Sequence, residues 1–229
     1  MTNADFQLSK YPKTVKGALV TLDTSLNNVT STIVFQYNPD TLTRSLQVQS
    51  ADGEDNSRLE PLRLSWPPVE TITLEAEFDT TGPLPKGKEK TAAELGVYPQ
   101  LAALETLVYP TSAHVKETMR QAADGTVEIL PFDAPMTLFI WGKERLLPVR
   151  LTEFSITEEA YDVNLNPVRA KVSLGLHVLS YKDLPEAMSR KLFLPHHERK
   201  ERFSQLGRGR DLGELGIEGI SGTSLGGFS

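Results

Sequence analysis

Few residues of this 229-residue chain combine the side-chain types and the spacing that catalysis requires. The segment Gly222-Thr223-Ser224-Leu225-Gly226 matches the G-x-S-x-G pattern of serine hydrolases. That pattern works when the serine sits between a strand and a helix and a histidine general base follows it in the chain. No histidine follows Ser224, and no strand or helix pattern surrounds it. We therefore interpret the match as a chance one in a Gly/Ser-rich tail.

The histidines and carboxylates fall short of a site as well. His196 and His197 are adjacent, so on a helix they point in different directions, whereas a metal-binding pair needs a spacing such as i and i+4. Glu75 and Glu77 share one face of a predicted strand, but no nucleophile lies near them in the sequence. The acidic loop around residues 52–55 lacks the ligand order of an EF-hand. The sequence therefore predicts no catalytic residue, no metal site and no cofactor.

The composition narrows the class of protein. A net charge of −6 and a pI near 5.3 argue against nucleic-acid binding, which needs clustered lysine and arginine. The absence of cysteine removes disulfides, thiolate metal sites and cysteine nucleophiles together. The first residues carry no secretory signal pattern, and no apolar run reaches membrane-spanning length. We therefore expect a folded protein that is made in the cytoplasm and is not inserted into a membrane.

The elements that would position any site are mostly strands. From Arg169 to Val178, apolar and polar residues alternate strictly, and a second alternation runs from Ile72 to Asp79. Because side chains alternate across a strand, each segment has one buried face and one wet face, which is typical of an antiparallel sheet. The wet face of the second segment is acidic and consists of Thr73, Glu75, Glu77 and Asp79.

Turn signals divide the rest of the chain. Further strands are predicted at about 16–22, 32–37, 41–49, 136–141 and 146–159, with a bulge near Thr152-Glu153, where the alternation changes phase. One internal helix is predicted over 99–108, where leucines recur at helical spacing. We divide the chain into an N-terminal lead-in (1–15), a β domain (16–181), a C-terminal helical extension (182–206) and a flexible Gly-rich tail (207–229). The predicted fold is mainly β (α+β), an antiparallel β-sandwich or barrel.

Two motifs carry a resemblance to a known family. Val34–Ser45 reads VFQYNPDTLTRS, and Asn166–Ala170 reads NPVRA before the last long strand. In this order they resemble the F-x-F/Y-N-P-x-x-L-x-R-S element and the dG-x-P-x-R-A run of the contractile injection system tube protein family. Phe139–Gly142 is similar to that family's F-x-W-G strand, and Leu95–Val108 is similar to its internal helix. The resemblance covers about residues 16–179; Asn164-Leu165-Asn166 replaces the usual acidic-glycine turn, and the C-terminal LysM module of many relatives is missing.

The resemblance implies a phage-tail-tube-like fold and a structural, non-enzymatic role. It implies a hexameric ring that connects the baseplate spike to the inner tube and templates tube assembly. The implied partners are further copies of the chain, the spike protein and the inner-tube and baseplate proteins, with no nucleic acid and no direct membrane insertion. The particle would assemble in the cytoplasm and act within the cell or after release. The residues carried over as a structural or assembly motif are Phe35, Tyr37, Asn38, Pro39, Leu42, Arg44, Trp141, Gly142, Asn166, Pro167, Arg169 and Ala170.

Several alternatives stay open at this level. An ordinary inner-tube subunit or a tube cap would share the fold and differ in copy number. A stand-alone hydrolase would lose activity on changes to Ser224 or to the Glu75/Glu77 pair. A glycan-binding module would bind glycans as a monomer. If the chain forms a tube, the acidic face of the second alternating strand is the candidate lining of the lumen, and Arg169 is the candidate anchor of the last strand's turn.

Overall fold

The computed structural model describes residues 15–23, 25–50, 63–82, 87, 89–124 and 133–207. The N-terminal lead-in up to residue 14, the acidic loop with residues 52–55 and the tail from residue 208, including Ser224, lie outside the described residues. The predictions made for those segments therefore stay predictions.

Seven antiparallel strands form a single sheet in the order β2-β1-β5-β6-β7-β4-β3. The mainly-β α+β class is confirmed, and each predicted strand segment corresponds to an observed strand. The longest strands, β4 and β6, run past the ends of their neighbours. The strands are β1 (Ala18–Leu22), β2 (Val29–Val34), β3 (Leu42–Ser50), β4 (Leu64–Asp79), β5 (Met136–Trp141), β6 (Arg145–Tyr161) and β7 (Pro167–Val178).

The sheet bends around one hydrophobic core. A single cluster of buried side chains draws on both halves of the sheet: Leu19 and Phe139 come from one half, and Ile72 and Leu174 come from the other. The buried face of the internal helix predicted over 99–108 packs into the same cluster through Leu101 and Leu104. The side-chain amide of Gln36, directly after β2, bonds the backbone of Asp79 at the end of β4. Four strands separate β2 from β4 in the sheet order, so the two can meet only if the sheet curls on itself. Burial of these apolar side chains is the main stabilising term of the fold.

The internal helix lies where the leucine spacing predicts it, at α2 (Tyr98–Glu105). Two further helices flank it, α1 (Glu89–Leu95) and α3 (Ser112–Ala123). Neither of them buries a residue fully, and the leucine spacing that predicts α2 does not extend into either of them. The side chain of Thr111 caps α3 by accepting a hydrogen bond from the backbone N–H of His114.

Two irregularities shape the long strands. The predicted phase change in β6 is a register shift between Leu151 and Glu153, which confirms the bulge. In β4, Pro67-Pro68 does not end the strand as a pair of prolines in a central strand would. Val69 pairs with Gln47 and Trp66 pairs with Gln49, so the two prolines face the single residue Val48 across a bulge. Here β4 pairs only with β3, because its pairing with β7 begins at Glu70.

The C-terminal extension is one continuous helical run. It comprises α4 (Glu186–Met188), a π-helical turn at Ser189–Phe193 and α5 (Leu194–Leu206). Pro195 occupies the first turn of α5, directly after the π turn, where a proline is tolerated. Because proline has no N–H and its ring crowds the preceding turn, the wider π turn accommodates it without a break. Leu192 of this run packs with Ala18, Val20 and Leu138 in a second, smaller core on the other face of the sheet.

Candidate assembly surface

The first family motif, Val34–Ser45, connects the end of β2 to the residues before β1 by hydrogen bonds. Phe35 is fully buried, and its N–H donates to the carbonyl of Gly17 at 2.9 Å. Asn38 accepts from the Gly17 N–H at 2.9 Å and donates to the carbonyl of Val15 at 2.8 Å. Tyr37 is half-buried, with its hydroxyl close against Gly82 beyond β4. Pro39 and Leu42 are also half-buried, so this motif forms a joint in the fold rather than a free surface.

The F-x-W-G segment supports the same joint from β5. The ring of Trp141 stacks on Phe139, with centroids 5.8 Å apart, and lies directly over Gly17. A side chain at Gly17 would collide with this ring, at 2.7 Å. Gly142 follows in the turn to β6 with φ +71°, a conformation that favours glycine.

The second motif attaches β7 to the connection between α1 and α2. Pro167 accepts a hydrogen bond from the Val97 N–H at 2.8 Å, and Asn166 donates to the carbonyl of Glu94 at 3.1 Å. Gly96 has φ +60°, and a Cβ there would lie 2.1 Å from the Pro167 carbonyl oxygen. In the preceding turn the left-handed residue is the exposed Leu165, with φ 64°, and not one of the asparagines. The backbone N–H groups of Asn164 and Asn166 both donate hydrogen bonds to the Asp162 carboxylate, which fixes the turn.

Asp79 joins the two motifs at the end of β4. Its backbone N–H and C=O bond the side-chain amide of Gln36 at 2.9 and 2.6 Å. Its carboxylate accepts from Arg169 and from both the N–H and the hydroxyl of Thr81. Burial alone would raise the pKa of Asp79, but these hydrogen bonds hold it below its ordinary value. Asp79 lies in phase with Glu75 and Glu77, as the alternation predicts. Arg169 and Thr81 cover its carboxylate, however, so the residue is only 9% exposed and does not contribute to a wet surface.

A second buried carboxylate, Glu70, lies at the opposite end of the β4–β7 pairing. It pairs with Arg44 of β3 at 2.6 Å and with Lys200 of α5 at 2.9 Å. Burial opposes the charged form, but the two cations hold the pKa of Glu70 below its ordinary value. Sequence analysis missed this contact. Its one signal was that Glu70 is in phase with Ile72, on the face that turns inwards.

The remaining family-motif residue, Ala170, is fully buried in the core opposite Phe78. Of the twelve motif residues, most therefore lie in the core, in turns or in joints. Their part in assembly stays a prediction.

The wet face of the sheet is polar and acidic, as predicted for β4, apart from Asp79. Glu75 and Glu77 are exposed, and Lys171 of β7 lies 3.9 Å from Glu77 and 3.4 Å from Glu159. A shallow depression of about 300 Å³ crosses this face. Hydroxyl groups and two carboxylates line it, from Thr41, Thr43, Thr73, Glu75, Glu153, Ser155 and Ser173.

Both borders of the sheet are open in the single chain. Strands β2 and β3 each pair with one neighbour only, among the residues that the structure describes. The β3 border exposes large apolar side chains, with Leu46 47% and Val48 63% exposed, and on β4 beside it Leu64 63% and Trp66 47%. Lys182 covers one side of the Trp66 ring, 4.8 Å from its centroid. Exposed apolar edge strands are typical of surfaces that pair with another chain.

A curled antiparallel sheet with a polar face and two open edges is typical of a structural subunit of an assembly. The comparisons with known proteins agree with this class. The family model described as "contractile injection system tube protein" matches residues 16–185, most of the chain and nearly all of the described sheet. The chain belongs to the contractile injection system tube protein family. A search of curated proteins found no match to it.

Membership makes the chain a structural component of a contractile injection system particle that assembles with other particle components. In the described ranges, no helix is long and apolar enough to cross a membrane. Over the same ranges, no group of three or more histidine or acidic side chains is placed to hold a metal ion.

Proposed function

We propose that this chain forms a hexameric ring that connects the baseplate spike to the inner tube and templates assembly of the tube. The role is structural and non-enzymatic. The ring assembles in the cytoplasm, with the spike protein on one side and the inner-tube and baseplate proteins on the other.

The observation that carries this proposal is the pair of open sheet edges. An unpaired edge presents a row of backbone N–H and C=O groups, and proteins usually protect such an edge with charges, prolines or bulges. Strand β3 is nine residues long, and its exposed side chains include Leu46 and Val48. Pairing of this edge with the β2 edge of the next copy is a heterologous contact, which closes into a ring when the rotation allows it.

The charge of the sheet supports the orientation of the subunit. Glu75, Glu77 and Glu159 share the wet face, and Lys171 is a partner for two of them. In a ring with this face inwards, the lumen is lined by water-accessible hydroxyl and carboxylate groups. The apolar face stays covered by the core and α2.

Substitution in the edge strand tests ring formation. Val48→Lys places a charge on the β3 edge, and Val163→Lys makes the same change in the exposed turn before β7. We expect native mass spectrometry of the purified protein, alone or with its spike partner, to show a six-copy ring for the parent chain and for Val163→Lys, and monomers for Val48→Lys. A ring that survives Val48→Lys unchanged would argue against edge pairing through β3.

Copy number separates the initiator from the alternatives within the same class. Quantitative mass spectrometry of purified particles compares this chain with the main tube protein. One ring of this chain per particle supports the initiator ring or a cap, and abundance equal to that of the main tube protein indicates an ordinary tube subunit. Crosslinking to the spike protein then distinguishes an initiator from a cap at the far end.

A further inference from the structure

Helix α5 lies over a cluster of charged residues in which positive charges outnumber negative ones. Glu70 is the acceptor at its centre, with only 6% of its side chain exposed. Arg44 donates to one carboxylate oxygen through Nε, at 2.8 Å, and Lys200 donates to the other at 2.9 Å. Two cations from two separate elements therefore share a single buried anion.

Arg145 adds a third cation to this cluster. It begins β6, directly after Glu144, which Arg199 and Arg202 of α5 approach to within 3.9 and 3.6 Å. Helix α5 therefore runs past the start of β6. Burial and the nearby charge of Arg44 lower the pKa of Arg145, whereas Glu70 favours its charged form. Arg145 is half-buried, and both oxygens of the Glu70 carboxylate already accept from Arg44 and Lys200.

His196 faces the same cluster from α5. It lies one helical turn before Lys200, so the two side chains share a face of the helix. The residue is 8% exposed, and neither ring nitrogen has a hydrogen-bond partner among the described residues. Buried polar groups are normally satisfied, so an imidazole with two free nitrogens beside three cations is unusual.

We propose that Arg145, Arg44, Lys200 and His196 form a binding site for one further carboxylate. The guanidinium of Arg145 supplies two parallel donors, which match a carboxylate, and the neutral imidazole supplies one more N–H. The incoming charge also offsets the excess of three cations over the single carboxylate of Glu70. The carboxylate comes either from an acidic side chain of a neighbouring copy or from a small free acid. The site does not depend on the ring proposed above.

The first experiment uses the full chain in dilute, dispersed form. Thermal unfolding at neutral pH is measured in sodium acetate and sodium succinate, against sodium chloride at equal ionic strength. Arg145→Met is compared with Lys143→Met, which removes a charge from the same turn at an exposed position. We expect the carboxylates to raise the Tm of the parent and of Lys143→Met, and to have no such effect on Arg145→Met. Arg145→Lys keeps the charge but loses the two parallel donors of the guanidinium, so it should lose most of the effect.

The second measurement follows the His196 ring by NMR in the unmodified protein, so it does not depend on how the variants fold. A bound carboxylate favours the imidazolium, and we expect the pKa of His196 to rise from about 4 by roughly one unit as the acid is added.

The third measurement is sedimentation velocity over a range of protein concentrations. If the carboxylate belongs to a neighbouring copy, Arg145→Met weakens self-association by roughly tenfold, and Lys143→Met leaves it unchanged. A response to free acids assigns the site to a small ligand, and a response in self-association assigns it to a second copy. If neither responds and the His196 titration is unaffected, the proposal is wrong. If only the ring experiment fails, thermal unfolding and the His196 titration still test the carboxylate site.

Discussion

Arg169 and Asp79 form an ion pair at one end of the neighbouring strands β7 and β4. The Nε and Nη2 atoms of Arg169 lie 2.9 and 2.8 Å from the same oxygen, Oδ2, of Asp79. Because the backbone of Asp79 also bonds Gln36, this pair ties the strand after the second family motif to the segment after β2. The two family motifs thus meet at one residue, Asp79, through its backbone and its carboxylate.

We expect Arg169→Met to lower the midpoint of urea unfolding. The change leaves Asp79 without its cation, although the carboxylate is only 13% exposed. Lys171→Met is the matched control, since Lys171 lies two residues further along the same face and meets more exposed carboxylates at 3.4 and 3.9 Å. Equal shifts for the two variants would show that the Arg169–Asp79 pair contributes no more to stability than the exposed contacts of Lys171.

Gly96→Ala should be more destabilising than its backbone conformation alone explains. A residue with a side chain at positive φ costs about 1 kcal/mol. Here the added Cβ also meets the Pro167 carbonyl at 2.1 Å, which adds about 2 kcal/mol. Gly142→Ala isolates the first term, because Gly142 has φ +71° and nothing within 4 Å of its added Cβ. Chemical denaturation of both variants measures the difference.

Removal of the Glu70 carboxylate should loosen the docking of α5. Glu70→Leu leaves Arg44 and Lys200 without their shared anion, and we expect a loss of about 3 kcal/mol in the free energy of unfolding. Lys200→Met leaves the Arg44 pair intact and should cost less than about 1 kcal/mol. Hydrogen exchange in α5 should nevertheless be faster in both variants than in the parent protein, with β7 as the internal reference. Unchanged exchange in α5 would mean that Leu192 and the Glu144 contacts hold the helix by themselves.

Stability should fall between about pH 6.5 and pH 4 because of His196. Burial and the cations Lys200, Arg44 and Arg145 lower the pKa of His196 from 6.5 to about 4, while Glu70 opposes the shift. The unfolded chain therefore takes up this proton first as the pH falls, and the free energy of unfolding decreases until the folded state is protonated as well.

Replacement of the imidazole checks that assignment. His196→Leu should flatten the pH dependence of urea unfolding in this window, and His197→Gln, at the exposed neighbouring position, is the matched control. The pKa values of Glu70 and Asp79 are lowered, so these groups titrate at lower pH and do not account for a loss that begins near pH 6.5. A parent protein of constant stability across the window would contradict the expected burial of His196.

The local pattern of the sequence was sufficient for the strands. Strict alternation located β4 and β7, and the phase change at Thr152-Glu153 located the bulge in β6, because side-chain alternation is a property of each strand by itself. The spacing of leucines located α2 for the same reason. The motifs that resemble the tube family were also local, so the family could be inferred before any contact was known.

What a residue contacts depended on the curl of the sheet. Asp79 and Glu70 are both carboxylates of β4, and the sequence names no partner for either. In the structure one meets Arg169 and Gln36, and the other meets Arg44 and Lys200. The helices α1 and α3 lack the leucine spacing that predicted α2. His196 became a buried residue only because α5 packs against β6 and reaches Glu70 through Lys200. Periodicity thus determined the elements, whereas burial and the pairing of charges arise between segments far apart in the chain, and only the tertiary structure decided them.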